Sequence, residues 1–342
     1  MSIRRPLLLP LVPLYGAALA IKRQMFRLGW LKQSRLTNPV ISVGSVSAGG
    51  AGKTPMVLLL ARVLRQRGYA VRILTRGYGR SLESIGRVEP YDDPVLHGDE
   101  PVLLAQRSGV PVFAGADRYR VGLLAEEHEE YEKIVVHLLD DGFQHRQLAR
   151  DVDIALLTLE DVEDKLLPAG NLREPLHALR DADVIVLREE EADGLWGFAK
   201  GLGRAGKAPA IWIIRRRLSL GEGGEVPQPS LPLAFCGIAR PEGFTRMLQA
   251  EGCMPVGLVD FPDHHRYDDQ AIALLLERAR HSGADGFVTT EKDAVKLTPV
   301  MRDRLAAVGP VVVTRLNVEL VDEADSLANL VSMVGRLDRR RR

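Results

Sequence analysis

The stretch VISVGSVSAGGAGKTPMVLLLARVLRQRG, residues 40–68, sets the frame for the rest of the chain. Residues 40–44 are β-branched or small and read as a buried strand. Ser45 to Gly52 follow as a turn with glycines at 49, 50 and 52, then Lys53, Thr54 and Pro55, then a helical run. Strand, glycine-rich turn, Lys-Thr and helix form a phosphate-binding loop. Its glycines let successive amides curl inward, and the helix start adds its dipole. Ser47, Ala48, Gly49, Gly50, Ala51, Gly52, Lys53 and Thr54 are the expected nucleotide contacts. Lys53 is placed to reach the β- and γ-phosphates, and the Thr54 hydroxyl to hold Mg²⁺. The strict spacing asks for glycine at 47, where this chain has serine. A glycine turn with a chance Lys-Thr is the plain alternative; the strand before it and the helix after it count against that.

Working outward, apolar runs alternate with helical patterns. Strands are expected at 40–44, 70–75, 110–114, 133–139, 153–158 and 183–188, with helices at 54–67, 99–108, 117–130 and 174–181. Near-continuous apolar strands separated by helices imply a parallel sheet covered on both faces. Residues 189–230 read as a charged connection around one strand, 210–214. A second set follows, with strands at 231–236, 255–260, 286–290 and 310–314 and helices at 241–250, 268–281 and 322–334. The expectation is an α/β, doubly wound, mainly parallel sheet of the P-loop NTPase kind, with a second, smaller α/β domain. The boundaries fall at 1–36 for an N-terminal helix, 37–215 for the phosphate-loop domain and 216–342 for a smaller domain closing the cleft.

Composition narrows the class. Of 342 residues, 46% are apolar and 27% charged, too apolar for a disordered chain. Two cysteines cannot build a disulfide scaffold. The net charge of +1 hides an asymmetry. Before Glu83 there are 14 Lys/Arg and no acid; the remainder holds 32 basic and 45 acidic residues. A basic front suits anionic partners. Residues 6–21 are apolar but only 16 long, with Pro10 and Pro13 inside, short of the ~20 needed to span a bilayer. A secretory leader is disfavoured because Lys22 and Arg23 follow at once. Leu14, Ala18, Ile21, Met25 and Leu28 instead fall on one helix face, with Lys22, Arg23 and Arg27 off it. That pattern fits an amphipathic helix in the headgroup layer; a helix packed on its own domain is the ordinary alternative.

The other half of a nucleotide site is expected where Val135–Leu139 run into Asp140 and Asp141, since carboxylates at the end of a neighbouring parallel strand are where Mg²⁺ is held. ATP or GTP with Mg²⁺ follows. Further polar clusters fall at strand ends: RGYGR at 76–80 with Tyr78, GDE at 98–100 with Asp99, ADR at 116–118 with Arg118, DDGFQH at 140–145 with His145, and LPAGNLREP at 167–175 with Arg173 and Glu174. Each alone has a bland use as cap, surface charge or buried histidine. Asp99 is a candidate base for an acceptor hydroxyl. Asp263-His264-His265 is a second candidate cluster. Adjacent histidines point apart on an extended chain, so a metal pair is disfavoured, and a base-orienting pair across the cleft is preferred.

These segments resemble the tetraacyldisaccharide 4′-kinase family over nearly the whole chain. FCGIARPEGF at 235–244, DHHRY at 263–267 and TTEKDAVKL at 289–297 belong to the same resemblance. DDGFQH and LPAG-LREP are particular to the family; the Lys-Thr loop is not. The chain departs at Ser45, where the family pattern has asparagine. The resemblance implies ATP and Mg²⁺, and transfer of phosphate to the 4′-hydroxyl of a tetraacyldisaccharide 1-phosphate, a lipid A precursor, to give lipid IVA. It implies work at the cytoplasmic face of the inner membrane, with no nucleic-acid or obligate protein partner. Lys53 and Thr54 serve nucleotide and metal, and Asp140 and Asp141 lie near the metal. Asp99 is the base, assisted by a histidine of DHH, His264 in preference to His265. Tyr78, Arg118, His145, Arg173, Glu174 and His265 match polar positions around the site. The competing class is a membrane-recruited P-loop ATPase switch. Such switches carry an extra lysine early in the loop, absent here, and have no use for Asp99 and the DHH cluster.

Overall fold

β1 (Val40–Ser45) is buried along its whole length and runs parallel to both its neighbours, β5 (Val135–Asp140) and β6 (Val152–Leu157). The computed structural model describes residues 5–341 except 83, 128–133, 204–207 and 222–226. Its other strands are β2 (Ala70–Thr75), β3 (Gly86–Val88), β4 (Val112–Ala114), β7 (Val184–Arg188), β8 (Ala210–Leu220), β9 (Pro232–Cys236), β10 (Gly257–Asp260), β11 (Gly286–Thr290) and β12 (Val311–Leu320). All belong to one sheet, in the order β10-β9-β11-β12-β8-β7-β6-β1-β5-β2-β4-β3. Pairing is parallel except for β3 with β4 and β8 with β12.

The expected strands are present. The end of the helix expected at 117–130 and the first residue of the strand expected at 133–139 lie outside the described residues. The segment 174–181 is a 3₁₀ turn, Leu176–Asp181, rather than an α-helix. The amides of Arg173 and Glu174 both donate to the Val46 carbonyl, at 2.7 and 3.1 Å, and Pro175 is extended, so no helix starts earlier.

The connection expected over 189–230 holds more structure: the helix Ala192–Lys200 and the eleven-residue β8. Its charges are split between the strand's two faces, Arg215 and Arg217 on the exposed one and Arg216 on the other. Arg215 and Arg216 pair with Glu189 and Glu190, and Arg217 pairs with Glu319. β8 runs parallel to β7 and antiparallel to β12, in register from Thr314↔Leu220 to Leu320↔Ile214. The boundary expected at 215/216 therefore falls inside a continuous strand. Val318 and Leu320 of β12, and Leu327, Leu330 and Val334 after it, pack into the same core as Ile41, Leu60 and Val136. A separate core of Leu233, Phe235, Ile272, Leu275 and Phe287 lies under β9 and β11.

Two helices matter for the site. α1 (Val12–Arg27) continues a 3₁₀ segment, Pro6–Leu11. Pro10 sits in the 3₁₀ turns and Pro13 in the first α turn, where a missing N–H costs nothing. The prolines thus do not interrupt it: Pro6–Arg27 is one segment of 22 residues, by length and composition sufficient to cross a membrane. No residue of α1 is buried, and Leu14, Ile21 and Leu28 of the expected stripe are exposed. α2 (Lys53–Gln66) follows the glycine-rich turn and buries Met56, Val57, Leu59, Leu60, Val63 and Leu64. Each such side chain is worth about 1.5–3 kcal/mol of burial, which holds the start of α2 at the C-terminal end of β1, in the middle of the sheet.

Candidate active site

The loop between β1 and α2 is shaped by its glycines. Gly49, Gly50 and Gly52 all have positive φ. A side chain at Gly50 would meet Arg240 Nε at 2.6 Å, so glycine is needed there for space as well as for backbone. Ser47 has no positive φ, which is why serine is tolerated where the strict motif has glycine. Ser45, where asparagine was expected, is tied into the loop. Its hydroxyl donates to the Ser47 carbonyl at 2.9 Å and accepts from Lys53 Nζ at 3.4 Å. α2 begins with no side-chain cap and no acid in its first turn. Its first amides and its dipole are thus left for an anion.

The 167–175 segment straps this loop from outside. Ala48 N donates to the Asn171 carbonyl at 3.0 Å, and Ser47 bridges Leu172. Arg173 then forks onto Asp141, at 2.7 and 2.6 Å, and donates to the Ser47 carbonyl at 3.0 Å. Lys53 Nζ lies 3.5 Å from the same carboxylate. Asp141 has φ 49, so the chain bends to aim it at these cations. Burial works to raise the Asp141 pKa, but Lys53 and Arg173 prevail and hold it well below the usual range.

Asp140 is different. It ends β5 opposite Val43 of β1 and is 3% exposed. Burial, reinforced by the Glu100 and Asp141 charges, pushes its carboxyl up to about 7, although the Thr75 hydroxyl donates to it at 3.0 Å. A buried carboxylate short of positive charge, one strand from the loop, fits a divalent cation. Among the described residues no group of three or more His, Cys, Asp or Glu is gathered to hold a metal. Mg²⁺ needs no such cage, since one or two protein oxygens and the phosphates suffice.

Across the crevice, Asp99 opens the Asp99–Ser108 helix and is 6% exposed. It is not the helix cap; Gly98 is. Both its oxygens face His264 Nδ1, at 3.1 and 2.9 Å, and one also accepts the Glu100 amide at 2.9 Å. Lys296 lies 4.0 Å away. Burial raises the Asp99 pKa, but His264, Lys292 and Lys296 outweigh it and leave the net shift downward. For His264, burial lowers the pKa, and the Asp99 hydrogen bond carries it above its ordinary value. His264 has φ 60 and packs against Tyr78, ring centroids 5.1 Å apart. The DHH turn also abuts the phosphate loop: a side chain built on Gly49 would lie 3.9 Å from Asp263 Oδ2.

Of the expected site residues, Lys53, Asp141 and Arg173 are brought together, and so are Asp99, His264 and Tyr78. Arg118 is 7% exposed; burial lowers its pKa to about 10, with Arg76 adding to the fall while Asp141, Asp140 and Asp117 oppose it. His145 is lowered to about 4 by burial and by Arg118 and Arg150. Glu174 turns away from the crevice and pairs with Arg23 of α1 at 2.5 Å, while Tyr15 of α1 donates to the Arg173 carbonyl at 3.1 Å. His265 is not beside Asp99; it stacks on Phe261 at 4.4 Å and meets Tyr267 edge-on. Lys292 has no role in the sequence reading. It sits in TTEKDAVKL without a phosphate-loop neighbour to flag it, yet it reaches Glu100, Asp263 and His264 within 3.3 Å.

The family model described as tetraacyldisaccharide-1-P 4′-kinase matches residues 4–334. The tetraacyldisaccharide 4′-kinase of Koribacter versatilis is 40% identical, covering 96% of this chain and 98% of that one. That of Pelobacter propionicus is 38% identical, covering 95% and 92%. The crystal structure of LpxK from Aquifex aeolicus in complex with ATP superposes with a TM-score of 0.73 at 32% identity, covering 96% of this chain and 98% of that one. The chain belongs to the tetraacyldisaccharide-1-P 4′-kinase family.

Proposed function

We propose the following division of labour for ATP-dependent phosphorylation of the 4′-hydroxyl of a tetraacyldisaccharide 1-phosphate. The amides of residues 49–54 cradle the triphosphate, Ala48 N being held by the Asn171 carbonyl, and Lys53 leaves Asp141 to reach its β- and γ-oxygens. Asp141 and Arg173 hold Lys53 and the loop in register. Thr54 and Asp140 would hold Mg²⁺, which when bound would neutralise charge building on the phosphate oxygens. Asp99 accepts the proton of the 4′-hydroxyl as that oxygen bonds to the γ-phosphorus. The bond from the γ-phosphorus to the bridging oxygen breaks, and its electron pair leaves with ADP. His264 holds the Asp99 carboxylate in place and donates to it throughout.

The observation carrying this reading is the Asp99–His264 contact at 2.9 Å, between residues 165 positions apart, on a turn that touches the phosphate loop. A nucleotide switch needs no such pair. α1 supplies the membrane contact: its apolar stripe faces outward while Tyr15 and Arg23 dock its other face on the 173–174 strap. The lysines and arginines beside it suit anionic headgroups. The inner membrane's cytoplasmic face is the natural location, because ATP and free cysteines are both at home there.

The test is to incubate the protein with γ-labelled ATP, Mg²⁺ and tetraacyldisaccharide 1-phosphate in mixed micelles. Label in a lipid carrying a 4′-phosphate supports the reading. Label found only as inorganic phosphate defeats it and returns the switch.

A further inference from the structure

The short helix Glu291–Ala294 is fixed by its own sequence. Thr290 caps it, accepting from the Asp293 amide at 3.2 Å and donating to Asp293 Oδ2 at 2.6 Å. Asp293 in turn pairs with Lys296 at 2.8 Å, and Glu291 is held by Arg107 and the Leu316 amide. These contacts aim Lys292 into the crevice. There its ammonium has three acceptors: Glu100 Oε1 at 3.2 Å, Asp263 Oδ1 at 3.3 Å and His264 Nε2 at 3.3 Å. An ammonium carries three N–H donors and no acceptor. All three are spent, and one of them is spent on an imidazole nitrogen.

We propose that Lys292 is a positioning residue which selects the tautomer of His264. Because Lys292 only donates, Nε2 of the neutral ring must accept, and the ring proton sits on Nδ1. From Nδ1 it points between the two Asp99 oxygens. Asp99 thereby receives a hydrogen bond while keeping its charge and its capacity to take a proton from substrate. The opposite tautomer would set the Nδ1 lone pair against the carboxylate and leave Asp99 without its donor.

The lysine has a second effect. A proton added to Nε2 meets a fixed positive charge 3.3 Å away, so Lys292 opposes the imidazolium form. The groups facing His264 are Asp99 from the Asp99–Ser108 helix, Lys292 from the Glu291–Ala294 helix, Asp263 from its own turn and Tyr78 from the loop after β2. Glu100 stands behind Lys292, and Lys296 behind Asp99. Among them Lys292 is the cation in contact with the ring. An imidazolium tied to Asp99 would make that carboxylate a poorer base, so removing Lys292 weakens the base at low pH. The catalytic consequence rests on the assignment of Asp99 as base; the tautomer does not.

The experiment is ¹⁵N NMR of histidine-labelled, full-length protein in detergent, titrated in pH, with the His264 signal assigned by its loss in His264→Gln. In the wild type the neutral ring should be protonated at Nδ1 and bare at Nε2. Lys292→Met should mix in the Nε2–H form and carry imidazolium to higher pH. It should lower kcat about 10–100-fold, less than the ~10⁴-fold loss known where a wrong tautomer disables a histidine that is itself the base. The acid limb of its kcat/KM profile should rise by about one pH unit. Lys292→Gln retains an N–H donor and should restore the Nδ1–H form, a rescue that mere packing does not explain. A wild-type neutral ring protonated at Nε2, or a Lys292→Met ring identical to wild type, overturns the proposal without recourse to activity. Undiminished activity of Asp99→Asn would instead remove the base assignment and leave the tautomer result standing.

Discussion

Replacing Asp99 with asparagine isolates the base from the nucleotide site. The side chain is 6% exposed and held by His264 at 2.9 and 3.1 Å and by the Glu100 amide at 2.9 Å. Asparagine keeps this shape, so the fold should hold and the change should read out in chemistry. General-base removal costs about 10²–10⁴-fold, or ~2.7–5.4 kcal/mol at 1.36 kcal/mol per decade. Phosphoryl transfer has a loose transition state in which little proton transfer is needed early, so the lower half of that range is expected. The hydrogen-bond and ion-pair partners of Asp99 are Glu100, His264 and Lys296, none of them in residues 45–54, so the KM for ATP should change by less than about threefold. Since Asp99 and His264 act through one hydrogen bond, adding His264→Ala should cost less than a further tenfold. The assay is initial-rate transfer to tetraacyldisaccharide 1-phosphate in mixed micelles with ATP varied, and ATP affinity measured by calorimetry. A raised ATP KM with unchanged kcat would refute the reasoning, because Asp99 would then be a binding residue. So would losses that multiply in the double variant.

Lys53→Ala should lower kcat/KM by about 10³-fold or more, since the loop loses its phosphate-directed cation; steady-state kinetics read this, and near-normal turnover speaks against the loop assignment. Leu14→Asp with Ile21→Asp should weaken flotation with anionic vesicles while leaving thermal unfolding unchanged, because both side chains are exposed. Glu126 accepts from the Thr37 and Asn38 amides and from His137, and its carboxyl is held at about 2: burial raises it but these hydrogen bonds prevail. With a folded pKa below the unfolded one, its contribution is full above about pH 4.5 and is lost as pH falls through about 2. Glu126→Gln should therefore cost about 1–2 kcal/mol at neutral pH and flatten the acid limb of stability between those values, read by denaturant titration at several pH values.

The phosphate loop, the strands and the carboxylates at strand ends were legible because each is local. Buried parallel strands are mostly apolar, and Gly49, Gly50 and Gly52 take positive φ. The resemblance then brought Asp99 and His264 together, although 165 residues separate them. Other features depend on pairing that no local pattern carries. The second half of β8, beyond the strand expected at 210–214, was hidden by Arg215, Arg216 and Arg217, whose partners are Glu189, Glu190 and Glu319. The single sheet follows from β8 meeting β12, a contact spanning about a hundred residues. His264 and His265 are adjacent, and only the φ of 60 at His264 shows which one turns to Asp99. Glu174 sits in a motif full of site residues yet faces α1, and Lys292 acquires its meaning from Glu100, Asp263 and His264 converging on it.

The central claim is that a triphosphate rests on the amides before α2, facing the Asp99–His264 pair. A crystal structure with a non-hydrolysable ATP analogue and Mg²⁺ tests it most directly. The account predicts phosphate oxygens on the amides of residues 49–54, Lys53 moved from Asp141 onto the phosphates, and the terminal phosphate turned toward Asp99. An analogue bound away from that loop, or bound there with its terminal phosphate turned from Asp99, would contradict it.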